Sequence, residues 1–116
     1  MPRILYVEDD VDVRSAYEQV LIAEGYEVDA TQTIRGGEEL LRRSTYDLLI
    51  ADGRLPDGTG EVLADQAAKL DIPALIVTGY AFIMRQLTKY PERYKVLLKP
   101  IRPEELLVAI AQALDA

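Results

Sequence analysis

Four apolar residues, Leu48-Leu49-Ile50-Ala51, run without interruption into a single aspartate, Asp52, and the chain then breaks at Gly53 and Pro56. A short, wholly apolar run bounded by turn residues reads as a strand buried on both faces. Helices covering both sides of a parallel sheet provide that environment, so this stretch points to a layered α/β architecture. Asp52 then stands where a parallel strand ends, with its carboxylate in the crevice that opens there. Open α/β sheets bind their ligands at that place. Asp52 is therefore the leading candidate for the reactive group.

The rest of the chain repeats the pattern. Ile4-Leu5-Tyr6-Val7 stops at Glu8-Asp9-Asp10, and a helical pattern follows through Val13, Ala16 or Tyr17, Val20 and Leu21 to a stop at Gly25. Glu27 to Ala30 reads as a strand and Ile34 to Arg43 as a helix carrying Leu40 and Leu41. After Leu48–Ala51, Gly60 opens a helix through Val62, Leu63 and Ala67, and Pro73 introduces the run Ala74–Val77, which ends at Thr78-Gly79. A weaker helical pattern spans Phe82 to Leu87. Val96-Leu97-Leu98 then ends at Lys99-Pro100. The last helix has Pro103 near its first position and Glu104 and Glu105 in its first turn, which suits the positive end of the helix dipole. Leu106 or Leu107, Ile110 and Leu114 give it an apolar stripe. Strands alternating with helices, joined by right-handed crossovers, predict a doubly wound, three-layer domain around a parallel five-stranded sheet.

Composition narrows the chemistry. A chain of 116 residues accommodates one two-faced core, so residues 1–116 are expected to form a single domain. No run is long enough to cross a membrane, no secretion signal stands at the N-terminus, and the absence of cysteine fits the cytoplasm. With no histidine there is no histidine-dependent triad, no histidine-ligated zinc and no phosphohistidine donor. A net charge of −7 argues against direct nucleic-acid binding. The chemistry falls to carboxylates, hydroxyls, lysine and the backbone.

Polar groups of those kinds end four of the apolar runs: Glu8-Asp9, Asp52, Thr78 and Lys99. In a parallel sheet the four ends share one edge. Each has an ordinary structural explanation on its own: Asp9 or Asp10 as a helix cap, Thr78 as another, Lys99 as a surface charge. Together they gather carboxylates, a hydroxyl and an ammonium at one rim. Clustered carboxylates repel unless a cation lies between them, and an oxygen-only ligand set selects Mg²⁺, with Mn²⁺ as a substitute. Such a site suits phosphoryl transfer. Asp52 would be the nucleophile that forms an aspartyl phosphate, Lys99 would screen the transferring group, and Thr78 would hydrogen-bond a phosphoryl oxygen.

The chain resembles the receiver domains of two-component response regulators from Arg3 to its final helix. Val7-Glu8-Asp9-Asp10, Asp52 with Leu55-Pro56 and Gly60, Thr78-Gly79, and Lys99-Pro100 carry the resemblance, all in order. It implies a flavodoxin-like (βα)5 fold with strand order 2-1-3-4-5. It also implies that Asp52 accepts phosphate from a histidine kinase or a histidine phosphotransfer protein, and that catalysis is confined to the chain's own phosphorylation and autodephosphorylation. Asp9 and Asp52 would bind Mg²⁺ directly, Glu8 through water, and Arg54 through its backbone carbonyl. The resemblance further implies a cis bond before Pro100.

One position departs from the family pattern: Val96 stands where many receivers carry an aromatic switch residue. Tyr80 and Tyr94 are the candidates to replace it, and ordinary packing explains either equally well. Arg54 and Tyr80 fall where this family tunes the lifetime of the phosphate. A basic stretch containing Arg85, Lys89, Arg93 and Lys95 reverses the local sign of an acidic chain. It reads either as a solvated helix face or as a docking surface for an acidic partner. No output domain follows the last helix, which leaves a stand-alone receiver or a piece of a hybrid kinase or longer regulator. A Mg²⁺-dependent phosphatase on the same fold is the competing class, disfavoured because such enzymes usually place a second aspartate where Arg54 stands.

Overall fold

The structure is a computed structural model that describes residues 1–79 and 94–115. The helical pattern read at Phe82–Leu87 lies outside the described residues. In chain order the elements are β1 (Arg3–Val7), α1 (Val11–Ala23), β2 (Glu27–Thr31), α2 (Ile34–Arg43), β3 (Leu48–Asp52), β4 (Arg54–Leu55), β5 (Gly58–Thr59), α3 (Glu61–Lys69), β6 (Ala74–Thr78), β7 (Lys95–Leu98) and α4 (Pro103–Asp115). Five strands form one parallel sheet in the order β2-β1-β3-β6-β7. Counted along that sheet alone this is 2-1-3-4-5, the flavodoxin-like order. The remaining two strands, β4 and β5, pair antiparallel as a small ribbon just after β3.

Side-chain alternation sorts the apolar residues of the central strands onto two faces. Ile4, Tyr6, Leu48, Ile50, Leu75 and Val77 pack with Leu21 of α1 and with Leu106, Ala109 and Ile110 of α4. Leu5, Val7, Leu49, Ala51, Ala74 and Ile76 pack with Ile34 and Leu41 of α2 and with Leu63, Ala64 and Ala67 of α3. Every residue of β3 and β6 is buried, which explains why their sequences are continuous apolar runs. The edge strand β7 is different, with Lys95 and Leu98 exposed.

Three helical positions differ from or refine the sequence reading. Val62, expected on the apolar stripe of α3, is exposed, because the stripe runs through Leu63, Ala64 and Ala67 and Val62 falls outside it. On α1 it is Tyr17 rather than Ala16 that turns inward, and on α4 it is Leu106 rather than Leu107 that is fully buried.

The helix ends are satisfied locally and at a distance. Asp10 Oδ1 caps α1, accepting from Asp12 N at 2.9 Å and Val13 N at 3.0 Å, and Gly25, at φ +99°, follows its C-terminal end. Thr33 caps α2 through Gly36 N at 3.0 Å. The same helix receives a second acceptor from the ribbon, because Ile34 N and Arg35 N donate to the Asp57 carboxylate at 2.9 and 3.1 Å.

Candidate functional site

Parallel register brings the strand ends level. Val7 lies opposite Ala51, Asp52 opposite Val77, and Thr78 opposite Leu98. The residues at or just after these ends, Glu8, Asp52, Thr78 and Lys99, therefore meet along one edge of the sheet. Two backbone hydrogen bonds extend the ladder past the strands: Gly53 N to Val77 O at 3.1 Å and Lys99 N to Thr78 O at 2.8 Å. Thr78 itself is fully buried.

Lys99 closes the site. Its Nζ donates to Asp52 Oδ2 at 2.9 Å and to Glu8 Oε1 at 3.2 Å. The side chains of Glu8 and Asp52 are only 4% and 10% exposed, so these ion pairs are poorly screened by water. Burial opposes the charge on Lys99, but the hydrogen bond and charge of Asp52, reinforced by Glu8, hold its pKa above the ordinary value. Burial pushes the Glu8 carboxyl up to about 7, with the Asp52 charge adding to the rise, against the Asp10 N–H and Lys99. Glu8 is further fixed by Asp10 N, which donates to its Oε2 at 3.2 Å, and by Arg14, which donates to its carbonyl at 2.8 Å.

Asp9 completes an acidic cluster. Glu8, Asp9 and Asp52 each place a carboxylate oxygen within 4.8 Å of the others, with Asp9 exposed at the mouth. Three carboxylates facing one ammonium leave an excess of negative charge, and every donor is a hard oxygen. This set fits a divalent cation of the Mg²⁺ type. Asp10, by contrast, is engaged as the cap of α1.

The loop after β3 wraps the acidic cleft. Arg54 N donates to Asp52 Oδ1 at 3.2 Å, and Arg54 lines the cleft with an exposed side chain. Gly60 N donates to Gly53 O at 3.1 Å, which brings Gly60 against the strand end. A Cβ at Gly60 would lie 2.2 Å from the Asp52 carbonyl oxygen, so no side chain fits there. The Lys99–Pro100 peptide is cis.

The remaining candidates sit farther out. Val96 is partly buried against the core that α2 and α3 cover. Tyr94 is buried in the same core, and its hydroxyl donates to Glu61 Oε1 at 3.3 Å. Lys95 is exposed and approaches Gln112 at 3.5 Å. Tyr80, Arg85, Lys89 and Arg93 lie outside the described residues.

Behind the acidic cleft, on the α1 and α4 side of the sheet, the structure holds a cavity of about 370 Å³ that the sequence reading did not anticipate. Tyr6, Val13, Tyr17, Ile50, Val77 and Leu106 are among its walls, and Glu8, Asp52 and Lys99 form its polar end. Burial, with the Glu8 charge next, pushes the Tyr6 hydroxyl far above the usual phenol range, so it stays protonated. Tyr17 donates to the Ile101 carbonyl and so ties α1 to the segment before α4. Alternation alone signals that Tyr6 shares a sheet face with Ile4 and Ile50. No sequence pattern reveals a void.

Known proteins share the sequence pattern and the fold. The sequence profile of the response regulator receiver domain matches residues 4–111. The response regulator receiver protein CpdR of Brucella abortus is 31% identical over 119 residues, spanning 100% of this chain and 99% of CpdR. The cell cycle response regulator CtrA of Brucella ovis is 33% identical over 93% of this chain, which spans about half of CtrA, 48%. A CheY-like receiver domain protein from Methanospirillum hungatei superposes with a TM-score of 0.90 at 32% identity, covering 99% of this chain and 94% of that one. The response regulator TrrA of Thermotoga maritima, solved with Mg²⁺ and beryllofluoride, superposes with a TM-score of 0.81 at 28% identity, covering 97% and 99%.

Proposed function

The chain belongs to the response regulator receiver family, and from that premise we propose that it is a phosphorylation switch whose acceptor is Asp52. One observation carries the reading: a buried carboxylate at the end of β3, 2.9 Å from Lys99 Nζ, with two further carboxylates beside it. The donor is a phosphohistidine on a histidine kinase or a histidine phosphotransfer protein. An Asp52 carboxylate oxygen attacks phosphorus, the bond from phosphorus to the donor nitrogen breaks, and the donor imidazole leaves. Asp52 then carries an acyl phosphate.

Each neighbouring residue has a task in that transfer. Lys99 pairs with Asp52 before the transfer and offsets the charge that builds on the phosphoryl oxygens. Thr78 hydrogen-bonds a phosphoryl oxygen of the product. The Arg54 N–H fixes the plane of the Asp52 carboxylate. Glu8, Asp9 and Asp52, with the Arg54 carbonyl, would hold Mg²⁺. When bound, the cation supplies positive charge that lets an anionic donor approach an acidic cleft. The chain acts on no outside substrate beyond its phosphodonor and forms a single domain.

The phosphoryl group shifts an equilibrium between two arrangements of the chain and so changes the surface shown to a partner. The basic stretch with Arg85, Lys89, Arg93 and Lys95 is the proposed docking surface for an acidic partner. Reversing Arg85 and Lys89 to glutamate should weaken capture by that partner, and undiminished capture would count against the surface.

The test is intact mass after incubation with acetyl phosphate and Mg²⁺. One added phosphoryl group is expected, absent in Asp52→Asn and abolished by a chelator. An adduct that persists in Asp52→Asn would refute the acceptor. If no adduct accumulates, beryllofluoride binding separates rapid hydrolysis from a site that takes no phosphoryl group.

A further inference from the structure

We propose that the cavity between α1, the sheet and α4 is a binding site for a small, flat, neutral aromatic molecule bearing one N–H group. Volume sets the size. A void of about 150 Å³ takes up benzene, and this one, at about 370 Å³, has room for a two-ring body. Its walls are aliphatic and aromatic: Val13 and Tyr17 from α1, Ile50 and Val77 from the sheet, and Leu106 from α4. Cavities of this size with few polar groups are the usual form of small-molecule sites.

Two polar features select the ligand. Tyr6 lines the cavity and is only 5% exposed, and its hydroxyl has no hydrogen-bond partner among the described residues. That hydroxyl opens into the cavity, where a ligand N–H can donate to the Tyr6 oxygen. The second feature is the polar end of the cavity, where Glu8 and Asp52 outnumber Lys99. The excess negative charge rejects a carboxylate-bearing ligand and leaves neutral donors favoured. Indole meets each condition and is the probe of choice. The inference goes beyond the phosphorylation switch and does not depend on it, since binding is read on the unphosphorylated chain.

The experiment is titration of the ¹⁵N-labelled chain with indole, followed by amide shifts. Indole should bind with a Kd of ~1 mM or tighter, the range open to so small a molecule, and should move the amides of Tyr6, Val13 and Ile101. Val13→Phe and Leu106→Phe, which fill the cavity from opposite walls, should each abolish these shifts, and either variant that keeps a folded spectrum suffices. Benzothiophene, the same shape without the N–H, should bind about fivefold more weakly, and Tyr6→Phe should bring indole down to that level. Indole-3-carboxylate should bind more weakly than indole. No shifts up to about 5 mM indole, several times that Kd, would overturn the proposal. So would shifts that survive both filling variants, equal affinity for indole and benzothiophene, or tighter binding of the carboxylate.

Discussion

Lys99 Nζ stands 2.9 Å from Asp52 Oδ2 across 47 residues of sequence. The same ammonium reaches Glu8, so one cation holds two buried carboxylates. Lys99→Met keeps the length of the side chain and removes the charge. Phosphorylation by acetyl phosphate is expected to slow roughly 10²-fold, as when one preorganised donor is lost. Affinity for Mg²⁺ should rise severalfold in the same variant, because the carboxylates lose their internal counter-charge. Paired rate and Mg²⁺ titrations check both. A fall in the two together would argue for general unfolding of the site instead.

Gly60→Ala places a methyl group against the Asp52 carbonyl, with 2.2 Å between the atoms before relaxation. Backbone cannot rotate away as a flexible side chain does. The expected cost is about 1–3 kcal/mol of stability, as for other overpacked sites, accompanied by slower phosphorylation of Asp52. Urea denaturation gives the first quantity and intact-mass kinetics the second.

Asp57 accepts the N–H groups of Ile34 and Arg35, and these hydrogen bonds hold its pKa below the ordinary value near 3.8, the Ile34 bond contributing most. A depressed folded pKa gives stability that is present above the ordinary aspartate value and lost as pH falls through the folded one. Asp57→Asn should therefore lower the urea midpoint at neutral pH, and its gap from the parent chain should narrow as the solution is acidified. Denaturation series at several pH values check this. A gap that stays constant into the acid range would mean that the carboxylate charge plays no part.

Arg54 carries an exposed side chain beside the acidic cleft. Arg54→Ala should open the path of the attacking water and hasten loss of phosphate from Asp52 severalfold. Tyr80→Ala provides the companion measurement. Unaltered decay in both variants, followed by intact mass after removal of the donor, would remove these positions from any role in phosphate lifetime.

The strands and their ends were legible because an apolar run that stops on a polar residue states both burial and boundary. That logic located Glu8, Asp52, Thr78 and Lys99 on one edge, and the parallel register places them there. The β4–β5 ribbon was not legible, since strands of two residues are too short to show any period. Nor was the Asp57 cap, which lies 23 residues after Ile34, the first residue of the helix it serves, whereas caps are read from adjacent residues. Val62 misled because α3 is short and rich in alanine, so several apolar stripes fit it equally well. The cavity arises from what the packed side chains leave unfilled, a property of volumes in space that hydrophobic order along a chain does not encode.

The ion pair that joins Glu8 to Lys99 spans 91 residues. During synthesis Glu8 leaves the ribosome 91 residues ahead of Lys99. A nascent chain ending before β7 therefore holds its acidic residues with no counter-charge, and lacks the strand that sets Lys99 beside Thr78. Assembly of the acidic edge thus waits on a strand made long after its carboxylates, and a chain cut short before β7 has no ammonium to set among them.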